Sequence, residues 1–347
     1  MKGEIFIKSI IYAVLIFGFL IFIHELGHFS MAKLFKVKVN EFSLGMGPKL
    51  FSKQKGETLY ALRAFPIGGF VSMEGEDEES GDKNAFGNKK PWQKAGVIVA
   101  GAFMNLLLGY IVMIVLTVMS GRVGTTTVAV FNDGAVSNNY LKVNDQIVSV
   151  NGSRVKTPND ITFEFLRDKD GIIDLEVIRD NEKIKLPPIQ FQMQEIEDGV
   201  NAINLDFKVY SKQLSPLGVI TYSFNWAVTI AKQVWVSLLD LLTGRFGFNQ
   251  LSGPVGVAAA IGEASTMGID SLLLMVAFIT INLGIFNLLP FPALDGGRLV
   301  FILIEAVMGK PVPAKYEGYI HAAGLILLLG LVIFVTFNDV IKLIGGL

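Results

Sequence analysis

Charged residues are missing from four long apolar runs, at 9–23, 95–121, 271–294 and 318–338. A hydrocarbon layer about 30 Å thick takes about 20 residues of helix to cross, and the last three runs reach that length unaided. The first reaches it when Ile5, Phe6 and Ile7 join it and the Lys8 side chain snorkels toward the interface. The pattern predicts four transmembrane helices.

Residues 29–94 break the apolar pattern. They carry glycines and a concentration of cations, among them Lys33, Lys36, Lys38, Lys49, Lys53, Lys55, Arg63, Lys83, Lys89, Lys90 and Lys94. Cations collect on the cytoplasmic side of membrane proteins. The segment is therefore expected inside, the N-terminus outside, and, after four crossings, residues 122–270 and the C-terminus outside too. Lys2 and Lys8 ahead of an apolar stretch look like a secretory leader, but no small-residue cleavage site follows. The stretch is expected to be retained.

Residues 122–270 start as a soluble fold. Stretches 125–131, 146–150 and 172–179 are short and rich in β-branched residues, Asn151-Gly152 and Asn181-Glu182 supply turns, and 159–168 reads as a helix capped by Asn159 or Asp160. Together they suggest a small, partly open β-barrel with an exposed edge. A tract follows Pro187-Pro188 as far as Ser215. Residues 216–242 are apolar apart from Lys232 and Asp240 and are expected to lie in the membrane interface. Glycine-rich 244–268 lead into the third span.

Composition sharpens this picture. Hydrophobic residues make up 51% of the 347 positions and charged residues 18%, too apolar a balance for a soluble domain to cover itself. A net charge of −1 with no basic motif gives no reason to expect a nucleic-acid partner. The absence of cysteine excludes disulfides and thiolate metal sites, so any metal falls to His, Asp or Glu.

The first run ends in His24-Glu25-Leu26-Gly27-His28, an H-E-x-x-H motif. On a helix, positions four apart share a face, so both imidazoles can reach one ion about 2 Å away. Glu25 sits one step round, placed to take a proton from water on that metal. Three ionisable groups at the end of a membrane helix are costly unless paired or functional, and two of the chain's 3 histidines are spent here.

A zinc site of this kind needs a third protein ligand. Asp295 follows Asn287-Leu288-Leu289-Pro290-Phe291-Pro292-Ala293-Leu294 and precedes Gly296-Gly297-Arg298. The prolines break the helix, and broken helix at membrane depth is tolerated where it lines a protein-walled cavity. Asp295 could instead cap the next helix, but the first and third spans run in the same direction, which brings both motifs to one depth. His321 enters from the same side without a second ligand-type residue and reads as a hydrogen-bonded packing or interface histidine. The Asn287 amide could bind a substrate carbonyl or developing oxyanion, or simply hold neighbouring backbone. Acidic residues 74–82 read as a solvated loop.

These residues resemble the site-2 protease family, in particular bacterial members that carry an extracytoplasmic PDZ domain and cleave anti-sigma factors. The zinc motif at 24–28 matches, and 287–297 matches the N-x-x-P…L-D-G motif. Residues 42–50 look like the family's G-x-G membrane-reentrant hairpin, 63–71 like the strand after it, and 252–256 like a segment ahead of the third span. Gly134-Ala135 and residues 144–152 resemble the core of a PDZ domain, with departures at Asn144 and at 137–140. A single such domain is similar to the Gram-positive type.

The resemblance implies an α-helical polytopic membrane protein of four transmembrane helices, with a membrane-reentrant β segment and one extracytoplasmic PDZ-like α+β domain. Residues 1–121 would hold the first two spans with the H-E-x-x-H motif, 122–190 the PDZ-like domain, 191–270 a linker and interfacial helix, and 271–347 the last two spans. It implies one zinc ion per chain on His24, His28 and Asp295, Glu25 as the catalytic base, and substrate contacts from Asn287, Gly45, Met46 and Gly47. The reaction would be hydrolysis of a peptide bond in the transmembrane helix of a single-pass protein trimmed outside beforehand. It would take place in the cell membrane, near its cytoplasmic face. A helical peptide bond is closed to attack, so the substrate must be drawn out, for which an open β-edge around Gly45 to Gly47 would serve. Two other readings stay open: a membrane-anchored zinc peptidase of soluble or misfolded chains, and a non-catalytic scaffold that captures peptides.

Overall fold

The computed structural model describes residues 2–76, 78–197, 200–244 and 251–345. In chain order its elements are α1 (Lys2–Leu34), β1 (Val39–Lys55), β2 (Thr58–Met73), α2 (Pro91–Ser120), β3 (Val123–Phe131), β4 (Gln146–Val150), β5 (Ser153–Arg154) and α3 (Pro158–Arg167). They continue with β6 (Ile172–Ile173), β7 (Leu175–Arg179), β8 (Glu182–Lys185), β9 (Ile189–Gln190), β10 (Met193–Glu197), β11 (Val200–Ile203) and β12 (Phe207–Lys212). The last helices are α4 (Pro216–Leu242), α5 (Pro254–Met267), α6 (Ile269–Asn287), α7 (Asp295–Met308) and α8 (Ala314–Gly345). Two compact units share the chain, residues 1–112 with 234–347, and residues 113–233.

Among the described residues, four helices are long and apolar enough to cross a membrane: Lys8–Leu34, Pro91–Ser120, Ile269–Asn287 and Ala314–Lys342. The chain is thus a multi-pass membrane protein with several added β-sheets. Helix α4, although 27 residues long, is not among the four. The third span stops at Asn287 instead of running on to 294, because Pro290 and Pro292 cannot donate to a helical ladder. The first runs on past its apolar stretch, so the H-E-x-x-H residues lie inside a continuous helix.

In the first unit α1 and α2 approach closely. A β-carbon at Gly27 would fall 2.3 Å from the Ala100 carbonyl oxygen, so only glycine permits this contact. Lys94, buried near the start of α2, meets both Glu305 oxygens at 2.9 Å and ties α2 to α7. At the other end of the helices the Asp339 carboxylate accepts the Gly256 N–H at 2.8 Å and caps α5, which starts with Pro254.

β1 and β2 form their own sheet, wound so that Glu41–Leu44 is flanked twice. These residues pair with 69–72 on one side and with 59–62 on the other. The outer side of 69–73 pairs with no strand among the described residues. Gly45 and Gly47 turn the chain between these registers at φ of 86° and 83°, in the left-handed region that favours glycine.

The second unit is a sheet in the order β12-β3-β4-β7-β8, with β5 paired to β4 and α3 packed on a core that includes Val128, Ile147, Ile161, Phe165, Val177 and Phe207. Several sequence readings shift by a residue or two. Thr157, not Asn159 or Asp160, caps α3, in a capping box with Asp160. The second hairpin turns at Asp180-Asn181, both at positive φ. Asp174 interrupts the strand read at 172–179. The fold also runs beyond 190: the tract read as a linker supplies β10 to β12, and β12 pairs with β3 because Phe191, Ile203 and Phe207 complete the core. Asn144 holds φ 75°, a conformation that asparagine tolerates as glycine does.

Candidate functional site

His24 and His28 lie one turn apart on α1, each about 7% exposed. Helix α2 fixes both rings through three positions spaced four residues apart, so all on one face. His28 Nδ1 donates to the Val97 carbonyl at 2.9 Å. Asn105, fully buried, presents its amide 3.2 Å from His24 Nδ1. Between them Gly101 leaves room for both rings.

Asp295 arrives from the broken segment. Gly296 and Gly297 let α7 start against residues 288–291, since β-carbons there would fall 2.1 Å from the Leu289 oxygen and 2.4 Å from the Phe291 oxygen. Asp295 Oδ2 then lies 3.1 Å from His24 Nε2 and 3.3 Å from His28 Nε2, and the two Nε2 atoms are 3.1 Å apart. His28 Nδ1 donates to α2, which leaves its Nε2 as an acceptor beside the Asp295 carboxylate, and His24 Nε2 joins them once the Asn105 amide turns its oxygen to the His24 Nδ1 proton. Asp295 Oδ2 is buried and has no hydrogen-bond partner. A tetrahedral zinc ion separates its nitrogen and oxygen ligands by about 3.3 Å, so these atoms fit that ion without rearrangement. His24, His28 and Asp295 form the one cluster of metal-binding geometry among the described residues.

Glu25 faces a different neighbour. The Val71 N–H donates to its carboxylate, and a β-carbon at Gly69 would touch its Cγ at 3.4 Å. A cavity of about 530 Å³ joins His24, Glu25, His28 and Asp295 to Phe70, Val71, Ser72 and Met73 of β2. Its wall includes the ion pair of Arg298 with Glu76, a residue of the stretch read as a plain solvated loop.

The structure brings together His24, Glu25, His28 and Asp295. Asn287 closes α6, half-buried, and is not among the residues lining the cavity. Gly45, Met46 and Gly47 lie on β1, also outside that lining. His321 is hydrogen-bonded, as read, with Ala293 N–H as its donor.

Asn105, Gly101 and the outer edge of 69–73 were missed. Asn105 had left a signal, since a lone amide within an apolar span needs a partner. Gly101 gave none, because its role depends on which helix packs against it.

Comparison with known proteins agrees with this geometry. The sequence profile of peptidase family M50 matches residues 12–331. A Clostridium perfringens protein provisionally named a zinc metalloprotease is 36% identical over 333 residues, covering 96% of this chain and 98% of its own. The zinc metalloprotease RasP of Geobacillus kaustophilus is 30% identical over 421 residues, covering 97% and 98%. The regulator of sigma-W protease RasP of Bacillus subtilis is 29% identical over 426 residues, covering 97% and 99%.

Proposed function

The chain belongs to peptidase family M50, the site-2 proteases, and is a zinc metalloendopeptidase; from that premise we propose that it cuts peptide bonds inside the transmembrane segments of single-pass proteins already trimmed outside the bilayer. Anti-sigma factors and remnant signal peptides are the substrate classes we assign to it. The observation that carries this reading is the meeting of two buried α1 imidazoles and the Asp295 carboxylate, whose Oδ2 is buried, beside an otherwise apolar span.

In this reading His24, His28 and Asp295 hold the ion, and zinc bound there supplies a Lewis acid that polarises the scissile carbonyl and makes water acidic. Glu25 takes the proton from the attacking water and passes it to the leaving amine. Val71 and Gly69 keep its carboxylate turned to the cavity. Asn287, at the end of α6, is assigned to the developing oxyanion.

The substrate is held extended by strand addition. The outer side of 69–73 supports this better than Gly45 to Gly47 do, since it pairs with no strand among the described residues and 70–73 line the cavity. Val71 N–H points to Glu25 and Met73 N–H to Glu76, so residues 69, 71 and 73 face the substrate. Gly45, Met46 and Gly47 shape the turn of a reentrant hairpin instead. Its side chains Met46, Leu50, Phe51, Leu62 and Phe65 are 42–75% exposed, which suits a bilayer. Residues 29–94 are assigned to the cytoplasmic side by their cations. The sheet of the second unit is assigned to the outside, as a PDZ-like filter that admits only trimmed substrates.

Mapping cleavage sites by mass spectrometry on a reporter with soluble domains on both sides of one span tests the proposal. Cuts within the span support it. Cuts confined to the soluble parts would assign the chain to peptidases of soluble or misfolded proteins, and no cut by zinc-loaded protein would leave a scaffold.

A further inference from the structure

On the reading of Asp295 as a zinc ligand, the loop that carries it must be held in place. The backbone bonds of residues 288–294 stay with the adjoining chain: Leu288 and Leu289 N–H to the Ile285 and Phe286 oxygens, Phe291 N–H to the Leu289 oxygen, Leu294 N–H to the Phe291 oxygen, and Gly297 N–H to the Leu294 oxygen. Pro290 and Pro292 have no N–H to give. Ala293 is different. It stands at φ 75°, where a residue with a β-carbon stays only when its surroundings hold it.

Its N–H leaves the loop and donates to His321 Nδ1 on α8, at 2.9 Å. One turn along the same face is Gly324, where a β-carbon would fall 2.4 Å from Pro292 Cβ and 2.6 Å from the Pro292 oxygen. The Pro292-Ala293 corner therefore seats on a notch in α8, with absent bulk on one side and a hydrogen-bond acceptor on the other. The acceptor is itself fixed. The His321 ring lies 5.7 Å from that of Phe301 on α7, and its Nε2 faces Glu317 Oε1 at 3.7 Å.

We propose that His321 is a positioning residue for the metal centre: by accepting the Ala293 N–H on the face opened by Gly324, it holds Ala293 in its left-handed conformation and so sets the Asp295 carboxylate, two residues on, against His24 and His28. His321 touches neither metal nor substrate in this role. Its second nitrogen and its charge are not what the role uses. It needs an acceptor atom at the place of Nδ1.

The test is zinc affinity of the full-length chain in detergent, measured by competition with a chromogenic chelator. In His321→Asn the amide oxygen can stand where Nδ1 stood, whereas in His321→Gln it reaches one carbon too far. His321→Asn should keep zinc affinity near that of the parent. His321→Gln should lose about tenfold or more, the size of effect seen when a ligand's support is removed. Adding Ala293→Gly to His321→Gln should recover part of the loss, because glycine holds positive φ without help. A merely structural histidine would leave both variants equally impaired, and that result overturns the proposal, as does parent-like affinity in His321→Gln or no recovery from Ala293→Gly. If the parent bound no zinc, or His24→Ala bound it as well as the parent, the ligand set would fail instead.

Discussion

Gly101 on α2 lies directly against His28 on α1: a β-carbon at Gly101 would stand 2.4 Å from His28 Nε2, and 2.8 Å from His24 Cε1. On the proposed ligand set, the atom that meets the metal thus owes its place to the absence of a side chain one helix away. Gly101→Ala is the smallest change that tests this. An overpacked site costs about 1–3 kcal/mol, and here the cost falls on the ligands themselves. Zinc affinity should drop about tenfold to a hundredfold while circular dichroism shows the helices intact. Undiminished affinity would mean that α1 and α2 stand further apart than described.

Asn105 supports the same site by hydrogen bonding. When the metal occupies His24 Nε2, Nδ1 carries the proton, and the amide oxygen of Asn105 must turn to accept it. Asn105→Leu should weaken zinc binding about tenfold to a hundredfold. Asn105→Asp keeps an acceptor and should bind close to parent level. Equal loss in both variants would show that packing, not acceptance, is what the position supplies.

The contrast between these two residues shows how far the sequence could be read. The meeting of His24, Glu25, His28 and Asp295 was legible, because the first three have helical spacing and Asp295 sits in a proline-broken apolar run. So were the four spans, since apolar length alone decides them. Gly101 was hidden, because one glycine among several in an apolar helix acquires meaning only from the partner it faces. The β1–β2 edge was hidden for a related reason. Which strand is outermost depends on register, and here 41–44 is flanked on both sides, so the cavity side falls to 69–73. The extent of the second unit was misjudged because Phe191, Ile203 and Phe207 are scattered over a tract with no strong alternation, although all three end in its core.

Glu25 and Asp295 should separate under mutation. Glu25→Gln removes the base and keeps the ligands, so cleavage of a membrane reporter should fall by a factor of about 10² to 10⁴ with zinc content unchanged. Asp295→Ala removes a ligand, so metal and activity should be lost together, and a chelator added to the parent should reproduce that loss until zinc is restored. Zinc stoichiometry by plasma emission decides between the two patterns. Full metal content in Asp295→Ala would take Asp295 out of the ligand set.

In the second unit, Asp145 is 1% exposed and accepts from Arg179 Nε at 2.8 Å, Arg179 Nη2 at 2.7 Å and the Lys142 N–H at 2.7 Å. Its carboxylate holds the guanidinium of Arg179 above its ordinary pKa. Asp145→Ala leaves an arginine that is only 20% exposed without its partner. Breaking such a pair costs about 3–5 kcal/mol when buried, and about 2–3 kcal/mol here once partial solvation is allowed for. Limited proteolysis of the full chain should cut residues 123–212 about 30-fold faster or more. Zinc affinity should not change. An unaltered cleavage rate would mean that the pair is replaced by water at no cost.

Strand addition makes a prediction about the substrate as well. An added strand exchanges hydrogen bonds through alternate residues, because successive N–H groups point to opposite sides. Val71 and Met73 line the cavity, with Val71 beside Glu25. A synthetic transmembrane peptide carrying single N-methyl groups, moved one residue at a time across the cleavage site, should lose turnover at every second position. Each blocked bond is worth about 0.5–1.5 kcal/mol, or about twofold to tenfold in kcat/KM, while the positions between should tolerate the methyl group. A substrate bound as a helix would respond every three or four residues, and one bound only through side chains would respond at none. Either pattern in the mass-spectrometric rates would rule out the 69–73 edge as the place where the scissile segment is held.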